Sequence, residues 1–484
     1  SLEYIHKNKP HVFNIEKDVK EYLYEILNNF AEDSIPDIKK QLLGQYIAIV
    51  YKGDVMYVFS DFLQVRSVYY AIDEKIVCSS FHKVVGAVTD PYKEFEFIAM
   101  RHCAYPAWLG NTTLYKDINR LRAFEFLKIN FLKQVIEIKN FKIKIDNRKE
   151  YSLSKLKNQT LFSLRKVIRH PSFKEQNVHS TITGGYDSRL VTALINEYYT
   201  DFKLRIAVNK GIDIPDYTIA CKVAKVMSRP LIVFENDLEK MKEWFYAVTD
   251  HLTPKENAIM THLWQHANDC SLGFGGVMGT ELQSSFKHDT VDEIIHDFLC
   301  IAKQFIPAKD DYYVRFENAL RDEFYDIEKQ YFLESRNEKD LIRIFKLINT
   351  AHFSSPQTTA FNVYGNQFEI FSTFPIVEMA LKVPYKYLGD KTTLGRFYLI
   401  PKSLMEKINC KVSKITTTHF YPMRPLSVAS FMTYLIGRYK KRNHYKHVAK
   451  TRDEFAKIKN FEGEGWSYTT SDDWMEGFAK KYLS

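Results

Sequence analysis

A short loop between a strand-like run and a helical run has the residue types of an anion-binding site. The run Val178–Ile182 is β-type, and the apolar positions after Ser188 have helical spacing. Between them, Gly184 and Gly185 let the backbone approach a ligand closely and turn successive N–H groups into one concavity. The following helix presents its positive N-terminal end to the same place. The pattern therefore predicts a site for phosphate oxygens.

The polar side chains of this loop indicate a metal ion as well. Thr183 and Ser188 supply hydroxyl donors, whereas Asp187 would be repelled by bare phosphate. Its presence therefore implies Mg²⁺ bridging the carboxylate and a pyrophosphate group. The alternative is a plain strand-to-helix turn with an Asp-Ser cap. A Walker A loop is excluded, because no Gly-Lys-Ser/Thr follows.

The elements that position this loop are typical of two different domains. After a helical stripe over residues 153–168, strand-like and helical runs alternate as in parallel βαβ units: Val178–Ile182, a helix from Ser188, Leu204–Val208, a helix over Tyr217–Met227, and Leu231–Phe234. From about residue 290 the pattern is mainly helical. Earlier, a helical pattern over Ile15–Phe30 precedes short β-type runs that indicate antiparallel sheet: Gln45–Tyr51, Val55–Phe59, Val68–Ile72, Lys75–Ser79, Phe124–Asn130 and Val135–Ile138. The change near Asp146–Tyr151 predicts domains at residues 1–148 and 149–484.

Composition restricts the class of protein. With 45% hydrophobic and 26% charged residues, no bilayer-length apolar run and no secretory signal pattern, we expect a soluble, cytoplasmic protein. The six cysteines lie far apart, which favours reduced thiols over disulfides or zinc. Much of the net charge of +9 gathers in residues 438–452, either as a solvated helical face or as a docking surface for an anionic partner. The oligomeric state is left open.

Several motifs resemble one known family. Thr183–Ser188 is similar to the Ser-Gly-Gly-x-Asp-Ser loop of N-type ATP pyrophosphatases, with Thr as the leading residue. Gly44–Ala48 and Ser60–Tyr70 are similar to the glutaminase-like domain of the asparagine synthetase family. Thr113–Leu121 resembles the segment before that family's Pro-Pro-Gly turn, and Asp216–Ala224 resembles the helix after its second nucleotide-binding strand.

The resemblance implies an N-terminal Ntn-hydrolase-like αββα domain, followed by a parallel α/β ATP pyrophosphatase domain with a helical C-terminal part. It implies a carbon-nitrogen ligase that uses ATP and Mg²⁺ to adenylate a small-molecule or peptide carboxylate. Pyrophosphate leaves, and the acyl group passes to ammonia or an amine. In this scheme Gly184, Gly185 and Ser188 hold the pyrophosphate. The backbone near Thr181 and Val208 contacts adenine.

The chain departs from the family at the glutaminase nucleophile. The family uses an N-terminal Cys, whereas this sequence begins with Ser1, and Gln64-Val65 stands in place of the Gly expected before Arg66. Arg122-Ala123 occupies the place of the Pro-Pro-Gly turn. We therefore expect a structural remnant without glutamine hydrolysis, as in the β-lactam synthetases and lasso-peptide cyclases, with Ser1 as the alternative nucleophile.

The second acidic motif is shortened too. Its best match is Val277–Leu282, in which Glu281 is the candidate second Mg²⁺ ligand and Gly279 the point of close approach to the nucleotide. A solvated surface Glu is the alternative.

Further downstream, Phe374–Leu381 resembles a family segment but lacks its Asp. Lys414 is the candidate lysine for the α-phosphate and leaving pyrophosphate, with Lys411 as competitor, and Arg396 has a related candidate role. His419 and Tyr421 are candidates for the acceptor pocket.

Two other functions stay open. The first is a sulfur-transferring tRNA enzyme, which would use the same nucleotide site. The basic segment at residues 438–452 favours this function. The asparagine-synthetase-like N-terminal half and the lack of a catalytic Cys pair oppose it. A non-catalytic ATP-binding protein would account for the departures around 277–282 and 411–421. The sequence identifies neither the acid nor the amine.

Overall fold

The computed structural model shows a mixed α/β protein. It describes residues 28–88, 96, 99–100, 109–113, 115–144, 151–170, 173, 177–208, 214–235, 272–279, 288–305, 308–332, 338–364, 366–384, 387, 399–417, 422–425 and 436. Most of the helix expected over Ile15–Phe30, the domain boundary near residue 148 and the basic segment 438–452 lie outside these residues. Within them, no helix is long and apolar enough to cross a membrane.

Antiparallel sheets form the first part of the described chain. Their strands are β1 (Ile47–Lys52), β2 (Val55–Ser60), β3 (Tyr69–Ala71), β4 (Ile76–Cys78), β5 (Asn119–Arg120), β6 (Glu125–Asn130) and β7 (Val135–Asn140), with helices α1 (Ile35–Gln41) and α2 (Phe81–Val85). One sheet has the order β1-β2-β6-β7 and the other β4-β3-β5. Val58 and Leu127 of the first share a buried cluster with Tyr70 of the second, so the two sheets pack face to face.

A five-stranded parallel sheet forms the second part. Its strands are β9 (Val178–Thr181), β10 (Phe202–Val208), β11 (Leu231–Glu235), β12 (Leu272–Gly275) and β14 (Asn366–Glu369), in the order β11-β10-β9-β12-β14. A small parallel pair joins β8 (Ile143–Lys144) to β13 (Tyr331–Phe332). The chain adds β10 and β11 on one side of β9 and later places β12 and β14 on the other. Open α/β sheets bind ligands at the carboxyl ends of the strands where the order reverses in this way.

Helices surround this sheet and make up most of the described chain beyond residue 290. They are α3 (Leu153–Ile168), α4 (Asp187–Ile195), α5 (Ile214–Met227), α6 (Val291–Phe305), α7 (Asp310–Gln330), α8 (Glu338–Tyr364), α9 (Phe374–Leu381), α10 (Leu399–Ile408) and α11 (Cys410–Ser413). The helical stripe expected at 153–168 is α3, which begins at Leu153 after the cap residue Ser152 and buries Leu156, Leu161 and Leu164. Helix α4 lies between β9 and β10 and carries the loop residues Asp187 and Ser188.

Polar contacts join the antiparallel part to the parallel part. Arg122, which stands where the resemblance placed a Pro-Pro-Gly turn, forms ion pairs with Glu125 at 2.8 Å and with Asp326 of α7 at 2.5 Å. The Gln45 side chain bonds to the backbone of Glu369: Nε2 donates to the carbonyl at 3.0 Å, and Oε1 accepts from the N–H at 3.1 Å. The end of β14 is therefore fixed by a residue of the antiparallel part.

Gln64 occupies a backbone conformation that favours glycine. Its φ is 57°, in the left-handed region, so the conformation of the missing Gly is retained by a residue with a β-carbon. The Gln64 side chain is fully buried, and neither its Oε1 nor its Nε2 has a hydrogen-bond partner within the described part of the chain. The left-handed backbone conformation of Gln64 and its buried amide group therefore both lower the free energy of unfolding.

Two substitutions of Gln64, both of which remove the amide group, isolate the cost of its left-handed backbone conformation. We expect Gln64→Gly to exceed Gln64→Ala in free energy of unfolding by about 1 kcal/mol, because only glycine relieves the left-handed strain. Urea unfolding of both variants measures the difference. Equal stabilities would show that this position does not prefer glycine.

Candidate functional site

Hydroxyl groups shape the loop after β9. The Thr183 N–H donates to Ser188 Oγ at 3.0 Å, and the Thr183 and Ser188 hydroxyls lie 2.9 Å apart. The Gly185 N–H donates to Thr183 Oγ1 at 3.2 Å. These contacts close the loop onto the first turn of α4, so its backbone turns around the positive end of that helix.

Both backbone polar groups of Gly184 are hydrogen-bonded to side chains. Its N–H donates to Asp216 Oδ1 of α5 at 2.5 Å, and its carbonyl accepts from Arg189 Nη2 at 3.0 Å. A carboxylate oxygen is an anionic acceptor, so the Gly184 N–H already binds an anion within the protein. Sequence reasoning assigned no role to Asp216 or Arg189, although Asp216 lies in a motif that it singled out.

The loop after β12 lies against the loop after β9. A β-carbon on Gly276 would lie 2.7 Å from the Ser188 nitrogen, and one on Gly279 would lie 2.7 Å from Asp187 Cγ. At Gly276 the obstacle is the backbone of α4, so glycine is required there, whereas at Gly279 a β-carbon would force the Asp187 and Phe371 side chains to shift. The structure therefore brings Asp187, Ser188 and Gly279 together on both sides of the switch point between β9 and β12.

A buried carboxylate, missed by sequence reasoning, supports the second loop. Glu369 at the end of β14 is 1% exposed, accepts from the Val277 N–H at 3.0 Å and from Gln367 Nε2 at 3.1 Å. Burial raises the pKa of Glu369 to about 7, while the Gln367 and Val277 hydrogen bonds oppose that shift. An acid at the carboxyl end of a parallel strand is the sequence signal that could have identified it.

The residues expected near adenine lie at the ends of neighbouring strands. Thr181 ends β9, where it pairs with Arg205, and Val208 ends β10. Val208 therefore lies three residues, about 10 Å, beyond the level of Thr181. A nucleotide that contacts both residues would therefore span the offset between the ends of β9 and β10.

The structure also brings the Lys414 segment to the loop. Lys414 is exposed and follows the short helix α11, whose cap residue Asn409 accepts from the Val412 N–H at 3.1 Å. The next two carbonyls, of Ile415 and Thr416, accept from Arg189 at 2.8 and 3.0 Å. Arg189 thus contacts both the Gly184 carbonyl and the backbone that follows Lys414.

Other candidate residues cannot be placed. Glu281, Arg396, His419 and Tyr421 lie outside the described residues. No three His, Cys, Asp or Glu side chains within the described ranges lie close enough to hold a metal ion. Mg²⁺ usually binds through one or two carboxylates and the phosphates of its substrate, so the Asp187 carboxylate alone fits such a role.

An apolar crevice opens beside Asp187. It lies between α3, α4, α9 and α10, and Leu164, Leu190, Ile376 and Leu404 contribute to its lining. Apart from Asp187, the only polar side chain among the residues of this lining is Thr160. The family segment resembled by Phe374–Leu381 carries an Asp that has no counterpart here, and this face of α9 is apolar.

Comparisons with known proteins add little to this geometry. No family model matches the chain, and neither does any curated protein. Among solved structures, it is similar to the NMN synthetase from Francisella tularensis at 11% identity and a TM-score of 0.21, over 60% of this chain and 97% of that one. A TM-score this low carries no conclusion about fold or activity.

The contact between the two loops predicts a specific glycine requirement. We expect Gly276→Ala to lower the free energy of unfolding by about 1–3 kcal/mol, because its β-carbon would overlap the backbone of α4. Gly185→Ala is the matched control, since its β-carbon would meet only Thr183 Oγ1 at 3.4 Å. Urea unfolding compares them. Equal losses would contradict the contact.

Glu369 predicts a dependence of stability on pH. Its pKa is about 7 in the folded protein and 4.5 as the ordinary value, so its contribution to stability is fully present below 4.5 and is lost as the pH rises through 7. Glu369→Gln keeps an acceptor for Val277 but cannot titrate. The stability of this variant relative to the unsubstituted protein should therefore increase from about pH 5 to about pH 8. Denaturant unfolding across that range tests this, and a constant difference would mean that Glu369 titrates normally.

Proposed function

We propose that this protein is an ATP-dependent carbon-nitrogen ligase of the asparagine-synthetase-like kind. It adenylates a carboxylate, releases pyrophosphate and passes the acyl group to ammonia or an amine. The observation that carries the proposal is the Thr183–Ser188 loop. This loop lies at the switch point of a parallel sheet, beside the N-terminus of α4, with its Gly184 N–H bonded to a carboxylate oxygen.

The proposal extends to the domains. Residues 1–148 form an Ntn-hydrolase-like αββα domain without glutaminase activity, and residues 149–484 form the ATP pyrophosphatase domain. The face-to-face packing of two antiparallel sheets supports the first, and the parallel sheet with its helices supports the second. Nitrogen then enters as free ammonia or as an amine of the acceptor.

The loop residues bind and orient the triphosphate. In the proposal the pyrophosphate takes the N–H groups of Gly184 and Gly185 and the Ser188 hydroxyl, exchanging their present partners Asp216 and Thr183 for phosphate oxygens. The backbone at Thr181 and Val208 contacts adenine. Asp187, and Glu281 with it, would hold Mg²⁺, which when bound neutralises charge on the β- and γ-phosphates. Lys414 and Arg396 add positive charge at the α-phosphate and the leaving group.

The reaction requires a nucleophile aligned with the bond that breaks at the α-phosphorus, and an acceptor for the one proton that the amine loses. An oxygen of the substrate carboxylate attacks the α-phosphorus, the bond from that phosphorus to the bridging oxygen breaks, and pyrophosphate leaves. The amine then attacks the acyl carbon, AMP leaves, and the amine loses a proton. That proton passes to bulk water, since Glu369 is fully buried and its two oxygens already accept from the Val277 N–H and from Gln367 Nε2.

Pyrophosphate release tests the proposal. The assay incubates the protein with ATP, Mg²⁺ and a panel of carboxylic acids, without and with ammonia or simple amines. We expect release that depends on one acid and falls at least about 100-fold in Asp187→Asn, because the metal-binding charge is lost. Asp201→Asn is the matched control, since Asp201 is an exposed acid at the opposite end of β10.

The outcomes separate the competing functions. ATP binding without pyrophosphate release on any acid would favour a non-catalytic nucleotide-binding protein. Release that requires tRNA would favour the sulfur-transferring alternative. A chain that does not bind ATP at all would overturn the proposal.

A further inference from the structure

The Arg189 guanidinium joins two separate segments of backbone through three carbonyls. Its Nη2 donates to the carbonyls of Gly184 and Thr416, both at 3.0 Å, and its Nη1 donates to the carbonyl of Ile415 at 2.8 Å. Arg189 itself lies on the first turn of α4 and is fully buried. One side chain thus fixes the anion loop and the chain beyond α11 relative to each other.

Burial makes these contacts strong. Desolvation lowers the pKa of Arg189 to about 10, while Tyr186 and Asp216 favour the charged form, so the group is still protonated at neutral pH. A buried charge must have partners, and three carbonyl oxygens supply them. Removing the guanidinium would leave two of those carbonyls, at 415 and 416, without the donor that fixes them.

The segment that Arg189 holds begins at α11, where Val412 and Ser413 are fully buried. Helix α11 has only four residues, Cys410–Ser413, and its local hydrogen bonds are made by the N–H groups of Val412 to Ile415. Beyond it, Thr416 forms an isolated bridge with Pro422. Arg189 is the side chain that donates to the carbonyls of Ile415 and Thr416, and Lys414 immediately precedes them.

We propose that Arg189 is a positioning residue that holds Lys414 at the anion loop and transmits occupancy of that loop to the 411–417 segment. The role of Lys414 rests on the function proposed above, whereas the mechanical link rests on the three hydrogen bonds alone. Phosphate oxygens bound at Gly184 and Gly185 would restrain the residue whose carbonyl Arg189 holds. The same guanidinium would then restrain the chain beside Lys414.

Limited trypsin digestion tests the mechanical link without any assay of activity. Lys414 is exposed, and cleavage after it requires residues near the bond to open locally. We expect Arg189→Met to speed cleavage after Lys414 about tenfold, and Arg189→Lys to speed it by a smaller factor, because an ammonium group can hold only part of the fork of contacts. Peptide mass spectrometry reads the rates.

Two controls separate this effect from general loss of stability. Cleavage after Lys133, exposed in the turn between β6 and β7, should change less than about twofold in the same variants. Arg120→Met removes an equally buried guanidinium that donates to the Gln64 carbonyl at 2.8 Å, and it should leave cleavage after Lys414 unchanged. Equal acceleration at both lysines, or no acceleration at Lys414 in folded Arg189→Lys, would overturn the proposal.

A second measurement tests the coupling to the loop. Inorganic pyrophosphate with Mg²⁺ should protect the bond after Lys414 in the unsubstituted protein, and the protection should shrink at least about threefold in Arg189→Lys at saturating pyrophosphate. Undiminished protection in that variant would overturn the coupling. If pyrophosphate does not bind at all, the proposed function fails, whereas the difference in digestion between Lys414 and Lys133 still decides the mechanical link.

Kinetics then test whether Arg189 acts through Lys414. Arg189→Lys should lower kcat for pyrophosphate release more than it raises KM for ATP. The double variant with Lys414→Ala should be no slower than Lys414→Ala alone, since both changes remove one interaction. Additive losses would assign Arg189 a structural role separate from Lys414.

Discussion

The hydrogen bonds to the N–H and the carbonyl of Gly184 are the constraint on which the candidate site depends. Asp216 accepts from the N–H and Arg189 donates to the carbonyl, so the two successive peptide groups that meet at Gly184 are held by side chains of two different helices. Because α4 and α5 flank β10 in sequence, the orientation of these peptide groups depends on the packing of both helices against the sheet. A ligand for the loop must fit the orientation that these contacts impose, and it must share the N–H with Asp216 or displace it.

Close backbone approach is the second constraint. The loops after β9 and β12 meet where Gly276 and Gly279 touch the first residues of α4, and side chains at these positions would separate them. Glu369 accepts a hydrogen bond from the Val277 N–H and so fixes the loop after β12. The candidate site is therefore assembled from three strand ends, and the third, at Glu369, carries no motif that the sequence analysis identified.

Local patterns predicted much of this architecture. The run Val55–Phe59 is β2 apart from one added residue, and the expected helix from Ser188 begins at Asp187. Turn residues and apolar periodicity act over a few residues, which is why these elements are readable. The loop residues Thr183–Ser188 were found for the same reason, since the motif is contiguous.

Long-range partners account for what was missed. Arg189 looks like an ordinary surface residue in the sequence, yet it is buried against carbonyls that lie 226 and 227 residues further along the chain. The Gln64 substitution indicated a lost glycine, but the structure shows that its left-handed φ of 57° persists. Contacts of this kind arise from tertiary packing, and no local pattern in one sequence contains them.

The contact between Gln45 and Glu369 has a consequence for the association of the protein with itself. Among the strands that the structure describes, β14 lies at an edge of the parallel sheet, and edge strands offer unpaired N–H and C=O groups to other chains. The Gln45 amide both donates to and accepts from Glu369, as a neighbouring strand would. A side chain from the antiparallel part therefore ends the sheet, and it closes this point of the edge to strand addition by another molecule.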